Sequence, residues 1–347
     1  MSKKKKVFIV VASVLLVCVG FSIAGYFIFR FDPAKADASP PDFETAGFGI
    51  GNANDEGWYA VFIDEFEGDR LNGEIWTTSP HGVRKRGATA ADTSWWCPSM
   101  VSVEDGKVVI RAQYLTDHIC PDGVCVSEGI FTGGIETRKI VENADSSDPD
   151  VTKGNHDELL FGQAFGYFET SVKFPEGEGI WSAFWLQSSN QRKLFNRGAD
   201  GTEIDIYESA FVKDPTLHGN ALLWNGYSNA LSGVADNIFD AGKNLYGEYH
   251  KFALKWTPEY YVFYIDDTVS WITNAGGVSK VKEFLRLTVE VDEGDGWGPH
   301  ARKIGLFDKT KTDYAFYVDY VKVYQNKNFA KYEKPDSYYK GPISNAN

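Results

Sequence analysis

Gly201-Thr202-Glu203-Ile204-Asp205-Ile206-Tyr207-Glu208-Ser209 reads as a β-strand punctuated by acids. Side chains alternate between the two faces of a strand, so Glu203 and Asp205 share one face and Ile204 and Ile206 the other. The isoleucines call for a core beneath them, which leaves the acids facing a cleft or water. Glu208 stands five positions after Glu203 and breaks the alternation. One extra residue, a β-bulge around Ile206–Tyr207, would return it to the acidic face, and bulges concentrate beside active sites. The stretch thus predicts a bulged strand, cored on one side, with three carboxylates along the other.

The surrounding sequence repeats the strand pattern. Runs rich in Val, Ile, Phe, Tyr and Trp recur at 107–112, 166–174, 180–186, 250–256, 260–265, 285–291 and 315–324, separated by Gly, Asp and Asn turns. Long helical periods and βαβ alternation are absent, which predicts an all-β sandwich of two antiparallel sheets over residues 57–326. Residues 31–56, with Asp37-Ala38-Ser39-Pro40-Pro41, read as a linker. Residues 327–347 read as a polar peripheral tail, and 146–159 as an acidic surface loop.

Residues 1–30 are of another kind. Lys3, Lys4, Lys5 and Lys6 precede an uncharged, mostly apolar run from Val7 to Phe29, long enough to cross a bilayer as a helix. The lysines favour the cytoplasmic side, which places the remainder outside the cell as a membrane-anchored domain. A cleaved signal peptide is the alternative, with Ala34-Lys35-Ala36 as its small-x-small site. Outside the cytoplasm a disulfide is permitted, and Cys97, Cys120 and Cys125 offer more than one pairing. Residues 31–347 carry 30 Lys/Arg against 48 Asp/Glu, a surface that repels phosphate backbones and excludes nucleic acid as a partner. The expected state is a monomer.

Two carboxylates flanking a bond are what glycoside hydrolysis needs, one to attack the anomeric carbon and one to protonate the leaving oxygen. Clustered like charges raise at least one carboxyl pKa, as a general acid requires. A solvated acidic edge or a calcium site is the rival reading of the same residues.

Glu203-Ile204-Asp205-Ile206-Tyr207-Glu208 resembles the E-x-D-x-x-E signature of glycoside hydrolase family 16, in its laminarinase-like form. Further blocks, in family order, carry the resemblance from about residue 58 to 325. They are Phe62-Ile63-Asp64-Glu65-Phe66 with Trp76, Phe165-Gly166-Tyr167-Phe168-Glu169, Gly179-Ile180-Trp181-Ser182-Ala183-Phe184-Trp185, His250–Pro258 with Val262–Asp266, and Tyr317–Tyr324. The resemblance implies a β-jelly roll with a concave cleft and a retaining double displacement on a polysaccharide. Its substrate would be a β-1,3- or β-1,3/1,4-glucan, cut at internal linkages; a galactan-type endo-hydrolase, a wall transglycosylase and a non-catalytic glucan-binding protein are the alternatives. Glu203 would be the nucleophile, Asp205 its helper and Glu208 the general acid/base. Trp181 and Trp185, four apart on a strand, would stack on sugar rings in the cleft, where their other reading is core packing. Trp224, in Leu223-Trp224, stands near the family's usual histidine-tryptophan pair and is a further substrate-binding candidate, although His218 is out of register with that pair. No cofactor is implied for the chemistry. A structural calcium held partly by Asp319 is an expectation from the resemblance alone.

Overall fold

The computed structural model describes residues 31–41, 43, 56–78, 94–118, 127–142, 155–188, 190–191, 196–226, 231–291 and 304–335. The Lys3–Lys6 cluster, the apolar run Val7–Phe29 and Cys120–Cys125 lie outside them. Among the described residues no helix is long and apolar enough to cross a membrane. Two units separate at Asp37 and Ala38. In the first, Pro33–Lys35 forms a single 3-10 turn whose N-cap, Asp32, accepts a hydrogen bond from the Ala34 amide at 3.2 Å.

The second unit is built from strands. In chain order they are β1 (Trp58–Asp64), β2 (Ser94–Trp96), β3 (Val101–Glu104), β4 (Lys107–Leu115), β5 (Gly129–Thr132) and β6 (Gly134–Glu136). There follow β7 (Arg138–Glu142), β8 (Asn155–Leu159), β9 (Gly166–Lys173), β10 (Ile180–Gln187), β11 (Thr202–Glu208) and β12 (Leu217–Trp224). The last are β13 (Gly233–Asp240), β14 (Tyr249–Trp256), β15 (Tyr261–Ile265), β16 (Thr268–Thr273), β17 (Phe284–Val291) and β18 (Tyr314–Asn326). One sheet runs β16-β15-β14-β9-β18-β4-β5-β2, with β1 also on β18 and β3 on β4. The other runs β13-β12-β11-β10-β17-β6. Pairing is antiparallel throughout both except between β2 and β5.

The two sheets share one core. Phe168, Val172, Phe252, Leu254, Phe316 and Val318 from the larger sheet meet Phe184, Leu186, Ile204, Ile206, Leu285 and Leu287 from the smaller, all fully buried. Each such side chain contributes about 1.5–3 kcal/mol by leaving water. The expected all-β sandwich is therefore what forms, and the outward face of the smaller sheet is left for the site.

Three segments differ from their sequence reading. Residues 155–159 of the expected acidic loop form β8, because β7 supplies a hydrogen-bonding partner from Arg138↔Leu159 to Glu142↔Asn155. Ala38, Ser39 and Phe43, from the stretch read as linker, lie on the outer face of the larger sheet. Phe43 stacks on Tyr324 at 3.9 Å, while Tyr264 Oη and Lys255 Nζ donate to the Ala38 and Ser39 carbonyls. Beyond β18, Phe329 packs edge-on against Trp58 and the Lys334 amide donates to Lys280, so the chain remains attached past residue 327.

Candidate active site

The carboxylate strand β11 is the third from one edge of the smaller sheet. Its entry is fixed locally. Arg197–Asp200 form a 3-10 turn closed by Gly201, whose φ of 143° and whose Cβ-free approach to the Ser188 side chain admit no larger residue. The buried Glu283 then accepts the Thr202 amide at 3.0 Å, one position before Glu203.

The bulge falls where the sequence places it. Against β12, Asp205 pairs with Ala221 and Glu208 with Gly219, so two residues of β11 oppose one. Against β10, Tyr207 pairs with Phe184 and Asp205 with Trp185. The surplus residue takes Ile206 and Tyr207 both into the core and returns Glu208 to the side of Glu203 and Asp205. A bulge leaves a ladder carbonyl without its strand partner; here Asn220, wholly buried, donates its side-chain amide to Ile206 O at 2.6 Å. Asn220 is thus a residue that shapes the site without facing it.

Cross-strand register lays out the cleft face in rows. Gln187, Glu203, Leu223 and Val234 form one row; Glu136, Arg286, Trp185, Asp205, Ala221 and Asp236 the next. Thr288, Ala183, Glu208, Gly219 and Ile238 form a third, and Glu290 pairs with Trp181 beyond it. A cavity of about 370 Å³ opens on these rows, lined by Trp181, Ala183, Trp185, Glu203, Asp205, Glu208, Thr288 and Glu290.

Trp181 and Trp185 line this cavity and pack together with Trp96, Ala183 and Phe211 in a satellite cluster, so the cleft and packing readings both apply to them. The Trp185 ring is held: its Nε1 donates to Thr288 Oγ1 at 3.0 Å, and the Arg286 guanidinium lies 3.9 Å from its centroid. Arg286 is buried and pairs with Glu136 at 2.9 Å, which Arg138 also engages at 3.2 Å.

Trp224 is not brought to this cavity. It pairs with Thr202, the residue of opposite pleat to Glu203, packs against the main core, and lies between Gly233 and Gly276. His218 likewise packs over Phe252 at 5.2 Å. Asp319, half-buried, lies near the middle of β18, on the larger sheet, at the bulge between Val318 and Tyr320. Burial, and then the Asp319 charge, push the Tyr249 phenol up to about 12. Among the described residues no group of three or more His, Cys, Asp or Glu is placed to hold a metal ion. One carboxylate is short of the six to eight oxygens that calcium takes.

Cys97 is disulfide-bonded, and the other cysteines of the chain lie outside the described residues. The sequence reading passed over Gln187, Arg286, Thr288 and Glu290. For the last three the signal was present: a charge inside the apolar run Phe284-Leu285-Arg286-Leu287, followed by polar residues at the same parity.

Asp200 adds a titration at the strand entry. Burial raises its carboxyl to about 6, while the Asn196 amide, donating to Asp200 Oδ2 at 3.0 Å, favours the charged form and opposes that rise. A raised folded-state pKa means that the fold binds the proton more tightly than the unfolded chain. The stabilisation is complete below about pH 4 and is lost as pH rises through about 6. Asp200→Asn keeps an acceptor for the Asn196 amide without the buried charge. It should add about 1–2 kcal/mol near pH 8, a rise in Tm of a few degrees, and little near pH 4. A pH series of thermal melts checks this; an equal shift at both pH values would refute it.

The chain is similar to known proteins in sequence and in fold. Residues 153–284 match the model of Glycosyl hydrolases family 16. An endo-1,3-1,4-beta-glycanase, EglC, of Rhizobium meliloti (strain 1021) is 26% identical over 240 residues, 66% of this chain and 46% of the relative. A beta-glucanase of Rhodothermus marinus is 25% identical over 172 residues, 46% of this chain and 57% of the relative. The chain spans about half the length of these curated relatives. Among solved structures, the catalytic domain of an endo-1,3-beta-glucanase (laminarinase) from Thermotoga petrophila RKU-1 superposes with a TM-score of 0.56 at 20% identity. The match covers 79% of this chain and 100% of that one, and it shows the same fold.

Proposed function

We infer, from the match of residues 153–284 to the model of Glycosyl hydrolases family 16, that this protein is an endo-acting glycosidase cleaving internal β-linkages of a polysaccharide. A β-1,3- or mixed β-1,3/1,4-glucan is the favoured substrate, in keeping with the names of the curated relatives. One observation carries the reading: Glu203, Asp205 and Glu208 meet two tryptophans in a single cavity.

The arrangement suits a retaining double displacement. Glu203 attacks the anomeric carbon while Glu208, protonated, delivers its proton to the departing glycosidic oxygen. Glu208, now ionised, takes a proton from water, which displaces the Glu203 carboxylate and restores both groups. Asp205, between them, helps to set their charge states. Trp181 and Trp185 offer the ring faces on which sugars stack. An open cleft face, bounded by an exposed edge strand with Val234 and Ile238, suits an internal stretch of polymer better than a chain end.

Among the described residues the cavity lining holds four carboxylates and no cation. Such a field disfavours sulfated chains such as carrageenan and favours neutral glycans. The test is reducing-end release from laminarin, mixed-linkage glucan, agarose, carrageenan, keratan-type glycan and xyloglucan, with Glu203→Gln as blank. Release from a neutral β-glucan, absent in the blank, is the expected result. Silence on all six with binding to one would instead favour a glucan-binding protein or a transglycosylase that needs an added acceptor.

In the cell, the Val7–Phe29 run would anchor the domain at the extracellular face of the membrane, with Lys3–Lys6 in the cytoplasm. Cleavage near Ala36 would instead secrete it.

A further inference from the structure

Glu203 is held from the side by a residue that its own strand does not supply. Gln187, on β10 and directly opposite it, donates its side-chain amide to Glu203 Oε2 at 3.0 Å. The same Gln187 accepts, through Oε1, a hydrogen bond from Arg286 Nη1 at 3.1 Å. A guanidinium only donates, so Arg286 forces the amide oxygen towards itself and the amide N–H towards Glu203. Arg286 is in turn fixed by Glu136 at 2.9 Å and by the Trp185 face at 3.9 Å, and Arg138 completes the buried set at 3.2 Å from Glu136. The chain Arg138–Glu136–Arg286–Gln187–Glu203 draws on five strands, β7, β6, β17, β10 and β11, and ends on the nucleophile.

We propose that Gln187, clamped by Arg286, is the positioning residue of Glu203: it holds Oε2 and directs Oε1 to the anomeric carbon. This rests on the hydrolase reading above. The groups that face Glu203 explain why such a donor is needed. On its own strand stand Asp205 and Glu208; from β17 come Arg286 and Glu290; Glu136 lies behind Arg286, backed by Arg138. β12 and β13 contribute Leu223 and Val234, with the carboxylate of Asp236 one row away. Three neighbouring carboxylates oppose ionisation of Glu203, and an amide donor with positive charge behind it opposes them. The charge-assisted hydrogen bond weakens as the carboxylate becomes an ester, so its charge part steadies the ionised ground state, and its gain for the first chemical step is orientation: one conformer of Glu203 with Oε1 aimed at the anomeric carbon.

Two variants test this. Gln187→Met keeps the length of the side chain and removes both polar atoms. Gln187→Glu keeps a partner for Arg286 and turns a like charge on Glu203, and it serves if Gln187→Met folds poorly. The probe is the Glu203 side-chain carbon resonance in glutamate-labelled protein, identified by its loss in Glu203→Gln. In both variants the Glu203 pKa should rise by about one unit or more. The acid limb of kcat/KM on the responsive glucan should move up with it. At the optimum kcat should fall on the order of tenfold to a hundredfold, with KM within about twofold. A merely structural role would lower Tm and leave the titration where it was. A folded variant whose Glu203 titrates as in the wild type overturns the proposal. Because the resonance is read without substrate, inactivity on every glycan would count against the hydrolase reading and leave the Gln187 result standing.

Discussion

Glu203→Gln is expected to lower glucan hydrolysis by at least about a thousandfold while leaving the fold and Tm close to wild type. The substitution is isosteric. Gln187 can still donate to an amide oxygen at the position where it now meets Oε2 at 3.0 Å, so local geometry has no reason to change. What is lost is the negative charge and the lone pair that forms the bond to the anomeric carbon. A carboxamide is too weak a nucleophile to form the glycosyl intermediate, and a thousandfold corresponds to only about 4 kcal/mol of barrier. Stability should hold or rise, because a half-cluster of like charges is relieved when one of Glu203, Asp205 and Glu208 becomes neutral. The measurement is initial-rate reducing-sugar release, paired with a thermal melt on the same preparation. Wild-type turnover in a folded Glu203→Gln would remove Glu203 from the mechanism and with it the assignment of the neighbouring acids.

How much of this was legible follows from what pleat and bulge can encode locally. Ile204 and Ile206 against Glu203 and Asp205 state the two faces of β11 outright, and Glu208 out of phase states the bulge. Trp224 shows the limit. The resemblance brings Leu223-Trp224 near a family pair, but strand parity decides which of the two meets the cleft. The register sets Leu223 beside Glu203 and Trp224 beside Thr202, on the core side. Arg286 shows another limit. A lone cation in an apolar strand is a warning of a buried partner, yet nothing local says that the partner is Glu136 on β6. Ala38, Ser39 and Phe43 show no periodicity to read, since they attach through one aromatic ring and two backbone carbonyls. The chemistry sits where local patterns are strongest, and the groups that tune it come from distant strands.

Glu208→Ala should leave a different signature from Glu203→Gln, and the difference separates the two carboxylates by role. General acid/base groups contribute about 10²–10⁴-fold, so polysaccharide turnover should fall within that range. An aryl glycoside with a good leaving group needs little protonation, so its glycosylation step should be spared and the glycosyl intermediate on Glu203 should accumulate as a burst. Water then attacks slowly, because no base removes its proton. Azide needs none: it displaces the Glu203 carboxylate directly, and loss of the Glu208 side chain makes room for a small anion in the cavity that both acids line. Added azide should therefore restore a large part of the aryl glycoside rate and yield a β-glycosyl azide, two inversions giving net retention. Product configuration by proton NMR decides the matter. An α-azide would mean a single displacement and would refute Glu203 as a covalent nucleophile. No rescue, with full binding of the glycan, would mean that the bulge returns Glu208 to the cleft face for some purpose other than proton transfer.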